Sequence, residues 1–220
     1  MVEKDLILIG SGGCMREILW QIDELNREKP TWNVVGYVDK QPSLTNGNAD
    51  VSVGNLCCPY LGDDNFLLSR KEQTNVVVSV GDPELRKRIV DKLQKNSEIN
   101  FPNLILSNVK ISSDIKMGQG CIVSMGCIIS TNVFIGDFVF LNIGSLVCHD
   151  GRIGSFSTLS PDVKVAGQVL IGNYCEIGMG TKIIQGIKMG RHVICGAGSV
   201  VVKDIEDGYT VGGVPARRIR

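Results

Sequence analysis

The sequence predicts a small α/β nucleotide-binding βαβ domain followed by a parallel β-helix, and three observations carry that prediction. The first is glycine, 26 of 220 residues, with 18 of them after residue 100, against a usual share of ~7%. The second is an apolar position that recurs every six residues through the second half. The third is a short apolar strand that runs into Gly10-Ser11-Gly12-Gly13 and then into a helical pattern.

Leu6 to Ile9 reads as the first strand, and Ile18, Leu19, Ile22 and Leu25 as the apolar face of the helix after the glycine turn. In such a unit the backbone N–H groups at the helix start face phosphate oxygens. The G-x-G-x-x-G match is incomplete, because Met15 stands where the third glycine belongs. A second strand, Asn33 to Val38, ends in Asp39, an acid placed to receive a ribose or sugar hydroxyl. A third, Val76 to Val80, leads to Pro83, which opens a helix carrying Leu85, Ile89, Val90 and Leu93. About three strands and two or three helices fit here, half of what a dinucleotide needs. A mononucleotide or nucleotide sugar is therefore expected rather than NAD, with a purely structural βαβ module as the competing reading. Asn96 to Asn103, with Pro102, reads as the linker, and the domains are expected at 1–98 and 99–220.

From Ile105 to Val201, seventeen consecutive sixth residues are apolar. At a 43% apolar background that run has a chance of roughly one in a million. Four positions after each stands a second small or β-branched residue, among them Cys121, Cys127, Val133, Ser145 and Cys175. One large and one small inward position per six residues fits a two-residue strand and a sharp corner. Gly118, Gly136, Gly154, Gly172 and Gly190 add a period of 18, three hexads, so one triangular coil is 18 residues and side chains 18 apart stack about 4.8 Å apart.

The 23 basic and 23 acidic side chains balance, which argues against a nucleic-acid or anionic-membrane surface. No apolar run reaches the roughly 18 residues of a membrane span, and Glu3, Lys4 and Asp5 interrupt any signal-peptide start. A cytoplasmic protein is expected. The cysteines show no C-x-x-C pair, and those at inward β-helix positions read as small buried hydrophobes. Cys57 and Cys58 fall in a loop-like stretch.

Only two histidines are present, so a three-histidine zinc site is excluded. His149 is followed by Asp150 near a predicted corner. A histidine there can offer one ring nitrogen to a substrate while a carboxylate holds the other, as a general base near neutral pH requires. An exposed histidine without a role is the alternative, and for His192 it is the preferred one. Cys148 permits a covalent thiol nucleophile, although a packing residue fits its place better. Lys182, Lys188, Arg191, Lys203, Arg217, Arg218 and Arg220 make the last third basic, either as solvated surface or to neutralise phosphates.

The hexad array, the segment Asn142 to Asp150 and the tail Gly212-Gly213-Val214-Pro215-Ala216 resemble left-handed β-helix acyltransferases. With its glycine-rich βαβ start, the chain is similar to bacterial sugar acetyltransferases, such as bacillosamine-pathway UDP-4-amino-sugar N-acetyltransferases and sialic acid O-acetyltransferases. The resemblance implies a homotrimer with acetyl-CoA in the groove between neighbouring prisms and a nucleotide sugar on the N-terminal domain, without a metal. It implies His149 as general base, Asp150 as its orienting acid, Asn142 near the acetyl group and the Gly167 N–H as donor to the thioester carbonyl. Gly167 also lies one 18-residue coil beyond His149. Gly10, Gly12, Gly13 and Asp39 are implied to contact the nucleotide sugar. Thr158 and Lys40 depart from relatives that carry a second histidine and a second acid there. The expected activity is acetyl transfer from acetyl-CoA to the amine of a nucleotide-linked amino sugar, UDP-linked by the resemblance. O-acetylation of a sugar hydroxyl and a non-catalytic nucleotide-sugar sensor are the rivals.

Overall fold

The computed structural model describes residues 4–42, 49–54 and 56–219, so Glu3 and Arg220 lie outside the described residues. The chain divides into two units, Met1–Gly81 with Leu85–Pro102 and Asp82–Glu84 with Asn103–Arg220.

The first unit is built on β1 (Lys4–Ile9), α1 (Gly13–Glu28), β2 (Trp32–Val38), β3 (Val51–Val53), β4 (Leu56–Cys58), β5 (Tyr60–Gly62), α2 (Asp64–Leu68), β6 (Thr74–Val78), α3 (Pro83–Leu93) and β7 (Ile99–Asn100). Five of the strands form one sheet, in the order β5-β2-β1-β6-β7, with parallel pairing throughout. Leu6 to Ile9 and Val76 to Val78 are buried on both faces, as continuous apolar runs in a parallel sheet must be. Met15, Ile18, Leu19 and Ile22 of α1 are fully buried, and each contributes about 1.5–3 kcal/mol of burial.

The three expected strands are the central three. The flanking β5 and β7 are too short to announce themselves, and β7 lies inside the segment read as linker, so the first unit runs on to Pro102. Cys57 and Cys58 are not in a loop. They sit on β4 of the antiparallel β3–β4 hairpin, where Cys58 is buried and its thiol pushed up to about 12, chiefly by that burial.

The second unit is a parallel β-helix. Each two-residue strand pairs with the strand 18 residues on, as Ile122 with Phe140 and Val123 with Leu141, and Leu170 with Lys188. The 18-residue coil is thus realised without insertion from Leu104 to Val201. Both predicted inward sets form the core, and Cys121, Cys127, Cys175 and Cys195 are buried within it. The last coil is shorter: Ile194 pairs with Thr210, Cys195 with Val211 and Met189 with Ile205, a step of 16. An antiparallel turn of Gly212 onto Arg217 then closes the end.

Every sixth residue from 120 to 198 turns the corner in a left-handed backbone conformation, with φ between 54° and 79°. The three edges of the prism solve this differently. One carries Gly126, Gly144, Gly180 and Gly198, the next Phe138, Phe156, Tyr174 and His192, and the third Asn132, Asp150 and Gln168. On the aromatic edge successive rings stack at 5.1, 5.5 and 4.9 Å, which places His192 at the end of a structural stack.

The glycines spaced by 18 do not turn the corners of the coil but serve a close approach between coils. None has a positive φ, and a Cβ on Gly154 would lie 2.5 Å from the Gly172 carbonyl carbon and 2.6 Å from the Asn173 nitrogen. Gly180 is the opposite case, with φ +70° and open space around it. Gly154→Ala is therefore expected to cost about 3 kcal/mol by overpacking and Gly180→Ala about 1 kcal/mol by backbone strain. Thermal unfolding of the two variants checks the order, and equal shifts would contradict it.

Candidate active site

His149 follows the strand Leu146–Val147 and Asp150 turns the corner after it, with φ 60°. Two hydrogen bonds between coils fix this corner. The Asp150 N–H donates to the Thr131 carbonyl at 3.2 Å, and the His149 carbonyl accepts from the Gln168 N–H at 2.9 Å. His149 Nδ1 lies 2.8 Å from Asp150 Oδ2, while Asn132 Nδ2 donates to Asp150 Oδ1 at 2.6 Å.

The His149 bond first, and then the Asn132 bond, hold the Asp150 carboxyl below the ordinary carboxylate range. A lowered folded value means that the carboxylate's contribution is present above its unfolded value of about 4, and is lost only as pH falls through the lower folded value. The ionised carboxylate can only accept, so Nδ1 carries a proton, and in the neutral imidazole Nε2 is the acceptor. Nε2 has no partner among the described residues.

Gly167 stacks on this imidazole, as the coil arithmetic anticipated. A Cβ on it would lie 2.5 Å from both Cε1 and Nε2 of His149, so only glycine leaves the ring its place. The neighbouring amides are committed, Ala166 to the Ile183 carbonyl and Gln168 to that of His149, whereas the Gly167 N–H has no acceptor among the described residues. One corner therefore combines a free imidazole nitrogen, a carboxylate on the other nitrogen and an open backbone donor.

Asn142 is not part of that cluster. It lies one hexad earlier, at the preceding corner, where its Oδ1 accepts the Ile143 N–H at 2.7 Å and its Nδ2 has no partner among the described residues. Cys148 is half-buried. Thr158 is a buried residue of the strand Thr158–Leu159. Asn132 was missed by the sequence reading, although it stands 18 residues before Asp150 and the same arithmetic reaches it.

The basic residues of the last third do not form one patch. Lys182 and Lys188 belong to different sheets, and Arg191 is paired with Asp207 at 3.1 Å. Lys203, Arg217 and Arg218 converge with Tyr209 on a cleft of about 260 Å³ that Asp204 and Glu206 also line. There the Arg218 guanidinium lies 3.8 Å over the Tyr209 ring.

In the first unit, Gly10 has φ +104° and donates its N–H to the Val38 carbonyl at 3.0 Å. Gly12 caps α1 without a side-chain bond, and a Cβ on it would meet nothing within 4 Å, so the helix start is open to a ligand. Ser11, unremarked between the glycines, donates from Oγ to Asp39 Oδ2 at 2.7 Å. It ties the glycine turn to the acid after β2, and the Gln41 N–H takes the other oxygen, Oδ1, at 3.1 Å. Beneath the turn, the buried Arg86 donates to the carbonyls of Val80 and Gly81 at 2.6 and 3.0 Å. Burial, then the Glu17 charge, push the Cys14 thiol up to about 11, so it stays a neutral thiol at the start of α1. Lys40 lies 4.0 Å from Asp64, which Lys92 holds at 2.8 Å. Among the described residues no group of three His, Cys, Asp or Glu is placed to hold a metal ion, and no helix is long and apolar enough to cross a membrane.

Residues 5–93 match the family model of the PglD N-terminal domain. GDP-perosamine N-acetyltransferase from Escherichia coli O157:H7 is 34% identical over 91 residues, 40% of this chain and 39% of that relative's length. Over nearly the whole chain, two solved structures are similar. One is the acetyltransferase domain of PglB from Neisseria gonorrhoeae FA1090 in complex with acetyl coenzyme A, with 27% identity over 99% of this chain and 100% of that one, and a TM-score of 0.85. The other is PerB from Caulobacter crescentus in complex with CoA and GDP-perosamine, with 30% identity over 99% and 98% and the same TM-score of 0.85. With a PglD-type first unit, a β-helix without interruption and end-to-end likeness to these proteins, the chain belongs to the left-handed β-helix, hexapeptide-repeat sugar acetyltransferases.

Proposed function

We propose that this chain transfers the acetyl group of acetyl-CoA to the amino group of a nucleotide-linked amino sugar, in a direct ternary complex. The observation that carries the reading is the His149 corner, where Asp150 holds Nδ1 at 2.8 Å and Nε2 lies free beside the open Gly167 N–H. In the reaction, the sugar amine attacks the thioester carbonyl and a C–N bond forms. His149 Nε2 takes the proton the amine loses, and Asp150 steadies the imidazolium. The Gly167 N–H donates to the oxygen as it becomes an oxyanion. The C–S bond then breaks, and the departing CoA sulfur takes the proton from His149. Asn142 is assigned to the acetyl side through its free carboxamide N–H.

The nucleotide sugar is assigned to the first unit, with its phosphates at Gly10, Gly12 and Gly13 and a hydroxyl on Asp39. The relatives named for GDP-perosamine leave the nucleotide base open between UDP and GDP, and they favour an amine over a hydroxyl acceptor. Lys203, Arg217 and Arg218 are assigned to the CoA phosphates. A cytoplasmic homotrimer, with active sites between subunits, completes the reading.

Three outcomes are expected in a CoA-release assay over UDP- and GDP-linked 4-amino sugars, with a hydroxyl sugar as control. His149→Ala should lose about 10²–10⁴ in kcat, and turnover close to the unaltered enzyme would sink the base assignment. Gly167→Ala should fold normally and lose at least tenfold in kcat, because its methyl group displaces the imidazole; unchanged kcat would remove Gly167 from the site. Asp39→Asn should raise KM for the nucleotide sugar about 10–100-fold with little change in kcat, measured by initial rates at saturating acetyl-CoA. An unchanged KM would detach Asp39 from substrate binding.

A further inference from the structure

The corner below His149 is built as carefully as the corner that bears it. Asn132 stands 18 residues before Asp150 on the same edge, in the same left-handed conformation, with φ 54°. Its Nδ2 donates to Asp150 Oδ1 at 2.6 Å, and its own backbone N–H donates to Asp114 Oδ2 at 3.1 Å. The Oγ1 of Thr131 donates to the same Asp114 oxygen at 2.5 Å, and the Thr131 carbonyl receives the Asp150 N–H. Ser112 Oγ donates to the other Asp114 oxygen at 2.6 Å. Asp114, Asn132 and Asp150 thus form a column, one residue per coil, whose top member holds the imidazole.

We infer that Asn132, anchored by Asp114, is a positioning residue for the Asp150–His149 pair and sets how the imidazole is presented to the acceptor. The column works through geometry. A carboxylate at an exposed corner has rotamers that reach solvent, and a single bond to His149 leaves the pair free to swing together. The Asn132 amide occupies the second carboxylate oxygen from the coil below, so the carboxyl plane is fixed from two directions. The choice of asparagine follows: it tolerates the left-handed corner and supplies an uncharged N–H donor. An aspartate there would face both Asp114 and Asp150 with like charge, and a glycine, as at Gly186 on the same edge, would supply the turn without the donor. The inference rests on His149 acting as base.

The test pairs Asn132→Gly with Asn108→Gly. Asn108 has nearly the same backbone, with φ 57°, is exposed, and has no side-chain partner among the described residues. Both substitutions make the same chemical change at a corner that accepts glycine, and thermal unfolding reports whether each variant stays folded. Asn132→Gly is expected to lower kcat roughly tenfold, the value of one hydrogen bond to a charged group, with KM for acetyl-CoA and nucleotide sugar unchanged. Asn132→Asp should lose more than Asn132→Gly, and Asn108→Gly should keep its kcat. A kcat within twofold of the unaltered enzyme for Asn132→Gly, beside an inactive His149→Ala, overturns the inference alone. Equal losses in Asn132→Gly and Asn108→Gly also overturn it, since the effect would then be structural. Turnover that survives in His149→Ala would remove the base assignment and this inference together.

Discussion

The left-handed backbone turn at every sixth residue is the constraint on which the β-helix depends. A two-residue strand followed by such a corner closes an 18-residue coil and sets each strand directly over the next. For residues other than glycine the conformation costs on the order of 1 kcal/mol or more, and it recurs at fourteen consecutive corners from 120 to 198. The hydrogen bonds between coils offset it. The corner N–H groups of Phe138, Asp150, Gln168, Tyr174 and His192 each donate to a carbonyl of the coil before, so the strained residue is also the one that ties two coils together.

What each edge does beyond turning follows from what fills its corners. Stacked rings hold the aromatic edge, so Phe138, Phe156 and Tyr174 keep a conformation that bulky residues rarely adopt. The glycine edge avoids the strain at every corner from 126 to 198 except Asp162. On the third edge, side-chain hydrogen bonds do the same work, and because they are polar and exposed they also build the candidate site. An arrangement that orients a base needs groups fixed to within fractions of an ångström. Here the supports come from the coils on either side, Thr131 and Asn132 before and Gly167 and Gln168 after, so the pitch of the helix itself sets the site.

The β-helix was legible because its constraint is strictly periodic: an inward apolar residue every six and a close approach every eighteen leave a mark on the sequence. The same arithmetic placed Gly167 over His149, and applied downward it reaches Asn132, which has no distinctive residue type to draw attention. The reason for the glycines at 154 and its equivalents was not legible, since composition cannot separate a turn from a backbone contact. Nor were β5, β7 and the β3–β4 hairpin, whose two or three residues carry no period. The basic C-terminal third shows the limit from the other side. Lys182 and Lys188 are six apart in sequence and therefore point from different faces, and Arg191 is spent on Asp207, so a run of charge in sequence becomes a cluster only at Lys203, Arg217 and Arg218.

Periodicity also decides where variation is tolerated. One residue inserted between His149 and Gly167 would break the 18-residue step that sets one over the other. Within that step, the corner chemistry changes by substitution. The first unit has no such lock: its glycine turn, the Ser11–Asp39 bond and the segment after β2 lie at strand ends, where length and sequence are free to change without disturbing a repeat. A chain that joins the two separates its tasks accordingly. The proposed transfer step is assigned to the part that geometry holds constant, and the proposed nucleotide-sugar contacts to the part that geometry leaves free. Lys40, next to Asp39 and 4.0 Å from Asp64, stands on that free part.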